Sequence, residues 1–233
     1  IPQSVRDAVY QRTRLLSQKA KQMLTLAAAA GQRFDLSLLT HILHYDEPHL
    51  LRLVKELIAA QFVIEESEDV FAFRHALTRQ AVYGELLVRE RKSLHRRIAE
   101  TIEQHTSSSL LDPRLPELGY HFFEGGVWSK AMEYGQRAGE QALALYAPRA
   151  ALEHLTRAVQ AVSHLPDTAP AAPYRARGQA YETLGEFELA RADYLRVLAI
   201  TQETHDAAME WQSLLDLGFL WAGHDYTQSG QWF

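Results

Sequence analysis

Apolar residues recur at intervals of three and four along most of this chain, which is the spacing of one face of an α-helix. Alternation with a period of two, typical of a half-buried strand, is confined to a short region near residues 62–73. The pattern therefore predicts a mostly α fold of amphipathic helices that contains one short β-hairpin.

The first part of the chain carries clear signals for where helices begin and end. A first helix begins near Ser4, Ser17 is a typical N-cap of a second, and Gly31 is a typical helix end. Asp35 and Asp46 each precede a further segment with helical apolar spacing. Three short helices are therefore predicted to follow the initial one.

Two β-prone runs come next, Phe62–Ile64 and Val70–Phe73, and the polar segment Glu65–Asp69 separates them like the tip of a hairpin. Three helices followed by a hairpin is the order of elements in a winged-helix domain. We therefore predict a winged-helix domain at residues 17–88, preceded by a linking helix at residues 1–16.

From Ala76 onward the sequence predicts helices only, and they follow one another in pairs. The best candidate for a hinge is Thr106 to Pro116, which contains three consecutive serines, Ser107–Ser109, and two prolines. A second break is predicted from Leu165 to Pro173. Residues 89–233 are accordingly assigned to an array of helical hairpins.

One segment of this array resembles the tetratricopeptide repeat in the order of its small and aromatic residues, beginning at Gly178. Gly185 permits a tight turn, and Ala190 lets two helices approach closely. Tyr181 and Tyr194 are expected to fill the space between those helices. These five residues are the predicted packing positions of the repeat.

Small residues recur at a constant interval of 39 positions, at Ala151, Ala190 and Ser229. The residues four positions further on are Leu155, Tyr194 and Phe233. The interval is longer than the usual ~34 residues of this repeat, which predicts elongated hairpins. Chance recurrence of small residues is the alternative. Arrays of this kind usually bind partners on a concave surface.

Three further segments carry a more specific resemblance: Val5–Arg12, Phe71–Tyr83 and Leu94–Glu100. They resemble the region that follows the nucleotide-binding domain in bacterial signal-transduction ATPases with numerous domains, the STAND class that includes the maltose regulator. The resemblance implies a preceding ATPase domain, ATP or ADP bound by the parent protein, and an unknown inducer or protein on the repeats. A separate domain would supply the output, often by binding DNA.

His75 is the residue to which this resemblance gives the sharpest role. It lies in the segment Phe73–Leu77, where the class carries a Met-His-Asp motif whose histidine reaches the β-phosphate of the bound nucleotide. The resemblance implies that His75 senses nucleotide in the full-length parent. Ala76 replaces the acidic residue of the motif, so only the histidine carries over. The alternative is that His75 merely begins the next helix, with Arg74 and Arg79 as surface charges.

The sequence contains no motif for catalysis. It has no Gly-x-x-x-x-Gly-Lys-Ser/Thr phosphate loop, no Gly-x-Ser-x-Gly elbow and no cysteine. The Glu65–Glu66 pair lies at the predicted hairpin tip, where solvated charge is ordinary. We therefore expect no enzymatic activity and no cofactor in this chain itself.

Histidines and basic residues are the remaining candidate ligands. His41 could pair with His44, at a spacing of three that suits one helix face, or His44 could pair with His49, but no third ligand follows at a recognised interval, so no metal site is expected. A basic helix at Arg89–Arg97 is interpreted as solvated, with phosphate contact as the alternative.

Charge and composition limit which partners and which cellular location are expected. The net charge of -5 argues against a chain whose main role is to grip nucleic acid. No apolar run approaches the roughly 20 residues of a membrane span, and the absence of cysteine favours the cytoplasm. The chain starts at Ile1, and its last segment, Tyr226–Phe233, stops within a helical pattern, so we expect a piece of a longer protein.

The leading functional hypothesis is a regulatory relay in which the winged helix reads nucleotide state and the repeats read a ligand or protein. One alternative is direct DNA binding by the helix Pro48–Ala60, through His49, Arg52 and Lys55, with Glu47 and Glu56 opposing. Otherwise DNA would be bound only by a domain outside this chain. The other alternative is a plain repeat scaffold without nucleotide control.

Overall fold

The structure is a computed structural model that describes residues 2–106, 112–166 and 170–232. The predicted hinge serines Ser107–Ser109 lie outside the described residues, as does the middle of the predicted break, residues 167–169. The chain divides into two compact units, Ile1–Thr106 (unit 1) and Ser107–Phe233 (unit 2).

Unit 1 contains short helices and a small sheet. Its described elements are α1 (Gln3–Arg14), α2 (Gln18–Ala30), β1 (Arg33–Asp35), α3 (Leu36–Leu43), α4 (Glu47–Ala59), β2 (Val63–Glu65), β3 (Val70–Phe73), α5 (Ala76–Gly84) and α6 (Val88–His105).

The three strands form one antiparallel sheet in the order β1-β3-β2. Strands β2 and β3 form the predicted hairpin, in which Ile64 lies opposite Ala72. Strand β1 was not predicted, and it pairs with the other edge of β3 so that Phe34 lies opposite Phe71. The hairpin is therefore confirmed, and the sheet is one strand larger than expected.

The core of unit 1 surrounds α2, which contacts α3, α4, α5 and α6. The alanine-rich end of α2 is almost wholly buried, so its neighbours approach it closely. Large buried apolar side chains complete this core, among them Met23 of α2 itself and Leu39, Leu50, Leu57, Phe62, Phe73, Ile98 and Ile102 from around it.

The predicted limits of α2 are confirmed. The Ser17 hydroxyl accepts a hydrogen bond from the backbone N–H of Ala20, and Gly31 ends the helix. Asp35 and Asp46 occupy the N-cap positions of α3 and α4 as expected, but neither side chain makes a capping hydrogen bond.

The division between the units differs from the predicted boundary between residues 88 and 89. Helix α6, which the sequence assigned to the repeat region, contacts α2 and α3 and belongs to unit 1. His95, Ile98 and Ile102 bury its inner face there. The apolar stripe of α6 reveals an amphipathic helix but not which unit it packs on.

Unit 2 is built of helices in the part of the chain that is described. After a 3-10 turn at Asp112–Arg114, they are α7 (Leu115–Glu124), α8 (Trp128–Ala144), α9 (Pro148–Val162), α10 (Ala172–Thr183), α11 (Phe187–Thr204), α12 (Ala207–Ala222) and α13 (Tyr226–Ser229). Successive helices pack against one another, and α8 also contacts α10. The prediction of a mostly α fold is confirmed.

Candidate functional site

Two glycines in unit 2 lie where neighbouring helices cross. A Cβ atom on Gly178 of α10 would lie 2.5 Å from Cε1 of Tyr194 in α11. A Cβ atom on Gly139 of α8 would likewise overlap the side chain of Leu155 in α9. Each glycine precedes its partner by 16 positions. Only glycine therefore fits at these two crossings without movement of a buried side chain.

The small residues found at 39-residue spacing occupy the second helix of each hairpin. Ala151 and Ala190 are completely buried, in α9 and α11. Ser229 of α13 is also buried, and its hydroxyl donates a hydrogen bond to the carbonyl oxygen of Gly218 in α12 at 2.9 Å. Phe233, the last residue of the predicted pattern, lies outside the described residues.

The turns between paired helices show the same spacing. Gly185 joins α10 to α11 in the left-handed region, at φ +75°, as its predicted turn role requires. Tyr146 occupies the corresponding place 39 positions earlier, between α8 and α9, at φ +55°. A non-glycine residue there costs roughly 1 kcal/mol or more, which the surrounding hairpin must offset.

The predicted repeat residues come together around α11. Ala190 and Tyr194 form a buried cluster with Leu217 and Leu220 of α12, and Tyr181 packs against this cluster. The Tyr194 hydroxyl donates a 2.6 Å hydrogen bond to the Glu182 carboxylate. Burial, together with this hydrogen bond, raises the pKa of Tyr194. Tyr194 therefore remains a neutral donor at physiological pH.

Two arginines of α10 link it to its neighbours, and the sequence analysis did not identify either. Arg177 donates two hydrogen bonds to Asp193 of α11, at 2.8 and 2.7 Å. Arg175 donates two to Asp216 of α12, at 2.6 and 3.0 Å. The hydrogen bond to each carboxylate raises the pKa of the arginine concerned. Such paired geometry fixes the position of three successive helices.

Helices α8, α10 and α12 each carry a buried glycine, Gly139, Gly178 and Gly218. The residues three positions before and one position after each glycine share one side of their helix, because they are four apart. None of these six residues is buried. We call them the array face: Gln136 and Glu140 in α8, Arg175 and Gln179 in α10, Leu215 and Phe219 in α12.

The chemistry of the array face changes along the array. In α8, Gln136 donates a hydrogen bond to Glu140. In α10, Arg175 pairs with Asp216 of α12, whereas the two array-face positions of α12 itself are apolar. Among the described residues, no group of three His, Asp or Glu side chains is arranged to hold a metal ion.

In unit 1, His75 lies between β3 and α5, at the N-cap position of the helix. Its carbonyl oxygen accepts hydrogen bonds from the backbone N–H groups of Thr78 and Arg79. The imidazole is exposed and makes no capping hydrogen bond. The side chain is thus not needed to start the helix.

The interpretation of Arg79 as a surface charge is wrong. Its guanidinium donates a 2.9 Å hydrogen bond to the carbonyl oxygen of Ala28 in α2 and lies over the ring of Tyr83. It therefore joins α5 to α2. Arg74, the other arginine interpreted in this way, is exposed.

The basic helix predicted at Arg89–Arg97 faces inward at several positions. His95 is completely buried, and its Nε2 lies 2.8 Å from the Tyr83 hydroxyl. Burial lowers the pKa of His95 to about 4, and the nearby charges of Arg79 and Arg91 act in the same direction. Arg97 donates to the carbonyl oxygen of Ile42. No sequence signal distinguishes these inward positions from the solvated ones.

The histidines weighed as metal ligands have other neighbours. The His41 ring lies against the His105 ring, tilted by 44°, with ring centroids 4.0 Å apart. The His49 ring contacts the Tyr45 ring at a tilt of 46°, and its ring nitrogens lie near the cationic groups of Lys19 and Arg52. His44 ends α3 in the left-handed conformation.

In helix α4, the candidate DNA-recognition helix, one of the two acids expected to oppose DNA binding has a structural role. The Glu56 carboxylate accepts hydrogen bonds from the backbone N–H and the hydroxyl of Ser17, so it secures the start of α2. Arg52 and Lys55 are exposed.

A scan against protein-family models found no match for this chain. A search of the curated proteins found none either. Among solved structures, similarity was found to the crystal structure of a Signal Transduction ATPase with Numerous Domains protein with a tetratricopeptide repeat sensor, from Pyrococcus horikoshii. The two chains are 12% identical and superpose with a TM-score of 0.41.

The match covers 94% of this chain and 44% of the Pyrococcus horikoshii chain, so this chain spans less than half the length of that protein. That protein is of the same class as the one that the sequence resembles. In the part of the chain that is described, no helix is long and apolar enough to cross a membrane.

Proposed function

We propose that this chain is the regulatory relay and interaction segment of a bacterial, multidomain, ATP-dependent signal-transduction or transcriptional regulator. Unit 1 is then a winged-helix domain that packs on a preceding nucleotide-binding domain. Unit 2 is a tetratricopeptide-like array that receives an inducer or a protein. In this proposal the segment has no catalytic site or cofactor of its own, and the parent protein works in the cytoplasm and binds ATP or ADP.

The observation that carries the proposal is the array face. Three helices of unit 2 have a buried glycine at the same place, and each displays an unburied pair of residues beside it. Repetition places these pairs on neighbouring helices, while their chemistry differs from one helix to the next. A surface that keeps its geometry but varies its side chains suits recognition of a partner.

A first test is direct titration of the chain with ATP and with duplex DNA at moderate salt. We expect no sub-micromolar binding of either, because the chain has no phosphate loop and carries a net charge of -5. Tight binding of ATP would overturn the relay, since the nucleotide is assigned to the preceding domain.

The second test uses the full-length parent and concerns His75. In the proposal the exposed imidazole donates to the nucleotide diphosphate and favours the closed, inactive state. A charge-assisted hydrogen bond of about 1.5 to 3 kcal/mol corresponds to a shift of about tenfold to over a hundredfold in that equilibrium. His75→Ala should therefore speed ADP release and raise basal output without inducer.

Gln80→Ala is the matched control, because Gln80 is exposed in the same helix. Wild-type ADP release and basal output in a folded His75→Ala variant would reject the sensing role. His75 would then be only the residue at which α5 begins.

Direct DNA binding by α4 is a second candidate, favoured by one observation. Because Glu56 is held by Ser17, the exposed side of α4 presents Arg52 and Lys55, with Lys19 of α2 near His49. Tight duplex binding in the first test, lost on Arg52→Ala, would support this candidate over the relay. If the array is a plain scaffold, its affinity for a partner should be the same whether the parent binds ATP or ADP.

A further inference from the structure

Helix α12 carries a row of apolar side chains on its outer side. Trp211 is 62% exposed and Phe219 is 65% exposed, and Leu215 lies between them, half-buried. The three residues are four apart, so they form a single ridge about 12 Å long. We call this ridge the α12 stripe.

The fold of the array does not require an apolar residue at two of these three places. At the position of Leu215, counted from the buried glycine of each helix, α8 has Gln136 and α10 has Arg175. At the position of Phe219, they have Glu140 and Gln179. Hairpins of the same design thus fold with polar residues there. At the place of Trp211 the other helices have apolar residues, Met132 and Ala171, so the positions of Leu215 and Phe219 are the ones that are apolar in α12 alone.

The charged residues near the stripe in sequence are all acidic, although one of them, Asp216, is paired with Arg175 of α10. Between residues 197 and 233 the sequence has no Lys or Arg and five acids, Glu203, Asp206, Glu210, Asp216 and Asp225. Unit 2 as a whole has nine Lys and Arg against 16 Asp and Glu, whereas unit 1 has 15 against 13. A partner that covers the stripe would therefore meet a border that is acidic apart from Arg175.

We propose that the α12 stripe is the docking site of a cationic amphipathic helix on a partner protein. A row of residues four apart is the ridge by which one helix packs into the groove of another. The acidic border favours Lys or Arg beside the apolar face of the partner. A Trp side chain also interacts favourably with cations. A second copy of this chain fits less well, because it would bring two acidic surfaces together.

This inference rests on the proposed role of unit 2 as an interaction array, and it specifies the chemistry of the partner. The experiment uses the whole chain and two fluorescently labelled 18-residue helical peptides. Both peptides have the same leucine face; one carries lysines elsewhere and the other carries glutamates. Binding is followed by fluorescence anisotropy, and the association state of the chain by sedimentation.

The variant is Trp211→Ser with Phe219→Ser, which changes two exposed side chains. Its matched control is Leu145→Ser with Tyr146→Ser. These residues are 73% and 92% exposed, and they lie in the turn between α8 and α9 of the same unit. We expect the lysine peptide to bind and the glutamate peptide not to bind. The stripe variant should weaken binding by about tenfold or more, the control should not, and salt near 0.5 M should weaken it.

Equal binding of the two peptides, or an equal effect of the two variants, would overturn the proposal. So would a dimer of the chain that the stripe variant dissociates, because the stripe would then be covered by a second copy. None of these results affects the ATP titration or the His75 test, so the proposed function can survive a failure here.

Discussion

The two units differ in the side chains that hold their helices together. Unit 1 is held by large side chains that meet from distant parts of the chain, such as Phe34 and Phe73, whose ring centroids are 6.0 Å apart. Arg12 further ties α1 to the carbonyl oxygens of Ala60 and Gln61. Unit 2 is held by small residues where neighbouring helices cross, and by ion pairs between adjacent helices.

This difference has a consequence for how a defect spreads. In unit 1 each buried residue contacts elements far away in sequence, so its loss should weaken the whole unit. In an array, each hairpin contacts only its neighbours, and stability is close to a sum of local terms. A defect in unit 2 should therefore be felt most strongly in the adjacent helices.

The largest expected effect is that of Phe73→Ala in unit 1. Phe73 is 2% exposed, and its removal should lower the free energy of unfolding of unit 1 by about 3 to 5 kcal/mol. Hydrogen exchange measured by mass spectrometry should show faster exchange throughout unit 1. Leu77→Ala, at a 45% exposed position, is the control. Faster hydrogen exchange confined to β2 and β3 would contradict the proposed difference between the two units.

Asp193→Ala in unit 2 should cost about 3 kcal/mol, since it leaves the mostly buried Arg177 without its partner. Exchange should accelerate in α10 and α11 more than in α7. Glu188→Ala is the control, because the exposed Glu188–Arg191 pair is worth less than about 1 kcal/mol. Uniform acceleration across unit 2 would show that the array unfolds as one body.

Gly178→Ala tests the helix crossing itself. The added Cβ atom would collide with the buried Tyr194 ring, so we expect a loss of roughly 1 to 3 kcal/mol in chemical denaturation. Gly223→Ala is the matched control, because a Cβ atom there has no neighbour within 4 Å. If the two variants unfold at the same denaturant concentration, the crossing is not tightly packed.

The smallest expected effect is a pH dependence of unit 1 that comes from His95. Its folded-state pKa of about 4 lies below the ordinary histidine pKa of 6.5, so the unfolded chain takes up the proton first as the pH falls. The stability that neutral His95 supports is complete above pH 6.5 and is lost progressively toward pH 4. Between pH 7 and pH 5.5 the loss should be about 1 kcal/mol.

The measurement is the difference between wild type and His95→Gln, followed by denaturation at each pH. The glutamine does not titrate, so its stability should fall less over the same range. Parallel curves for the two proteins would show that His95 is not protonated on unfolding in this window.

Much of the fold follows from local signals in the sequence. Ser17 and Gly31 mark the ends of α2 because the capping residue and the stop residue act on their own backbone. Strand β1 could not be predicted in this way, because its conformation depends on a distant part of the chain. Its three residues contain one buried side chain, Phe34, and they are extended because β3 pairs with them from 35 to 39 positions away.

In the candidate site, too, some residues could be identified from the sequence and others could not. Gly178 and Ala190 could be identified because small residues at a fixed spacing have few other reasons to recur. The pair Arg175–Asp216 joins residues 41 positions apart, and nothing near either one marks it as paired and not solvated. The contact of His95 with Tyr83 is hidden likewise, because a histidine in a basic segment is usually exposed.

The buried glycines also show how such hairpins tolerate insertion and deletion. Gly139 and Gly178 are 39 positions apart, whereas Gly178 and Gly218 are 40 apart. Ser229 still meets Gly218 because the next interval is 11 residues instead of the 12 between Gly178 and Ala190. An extra residue within a helix would rotate all later side chains by about 100°. The connections at residues 184–186 and 223–225 are equally long, so the difference of one residue lies at the end of the first helix, after its glycine. The length of a hairpin can thus change by one residue at a helix end while the crossing point is kept.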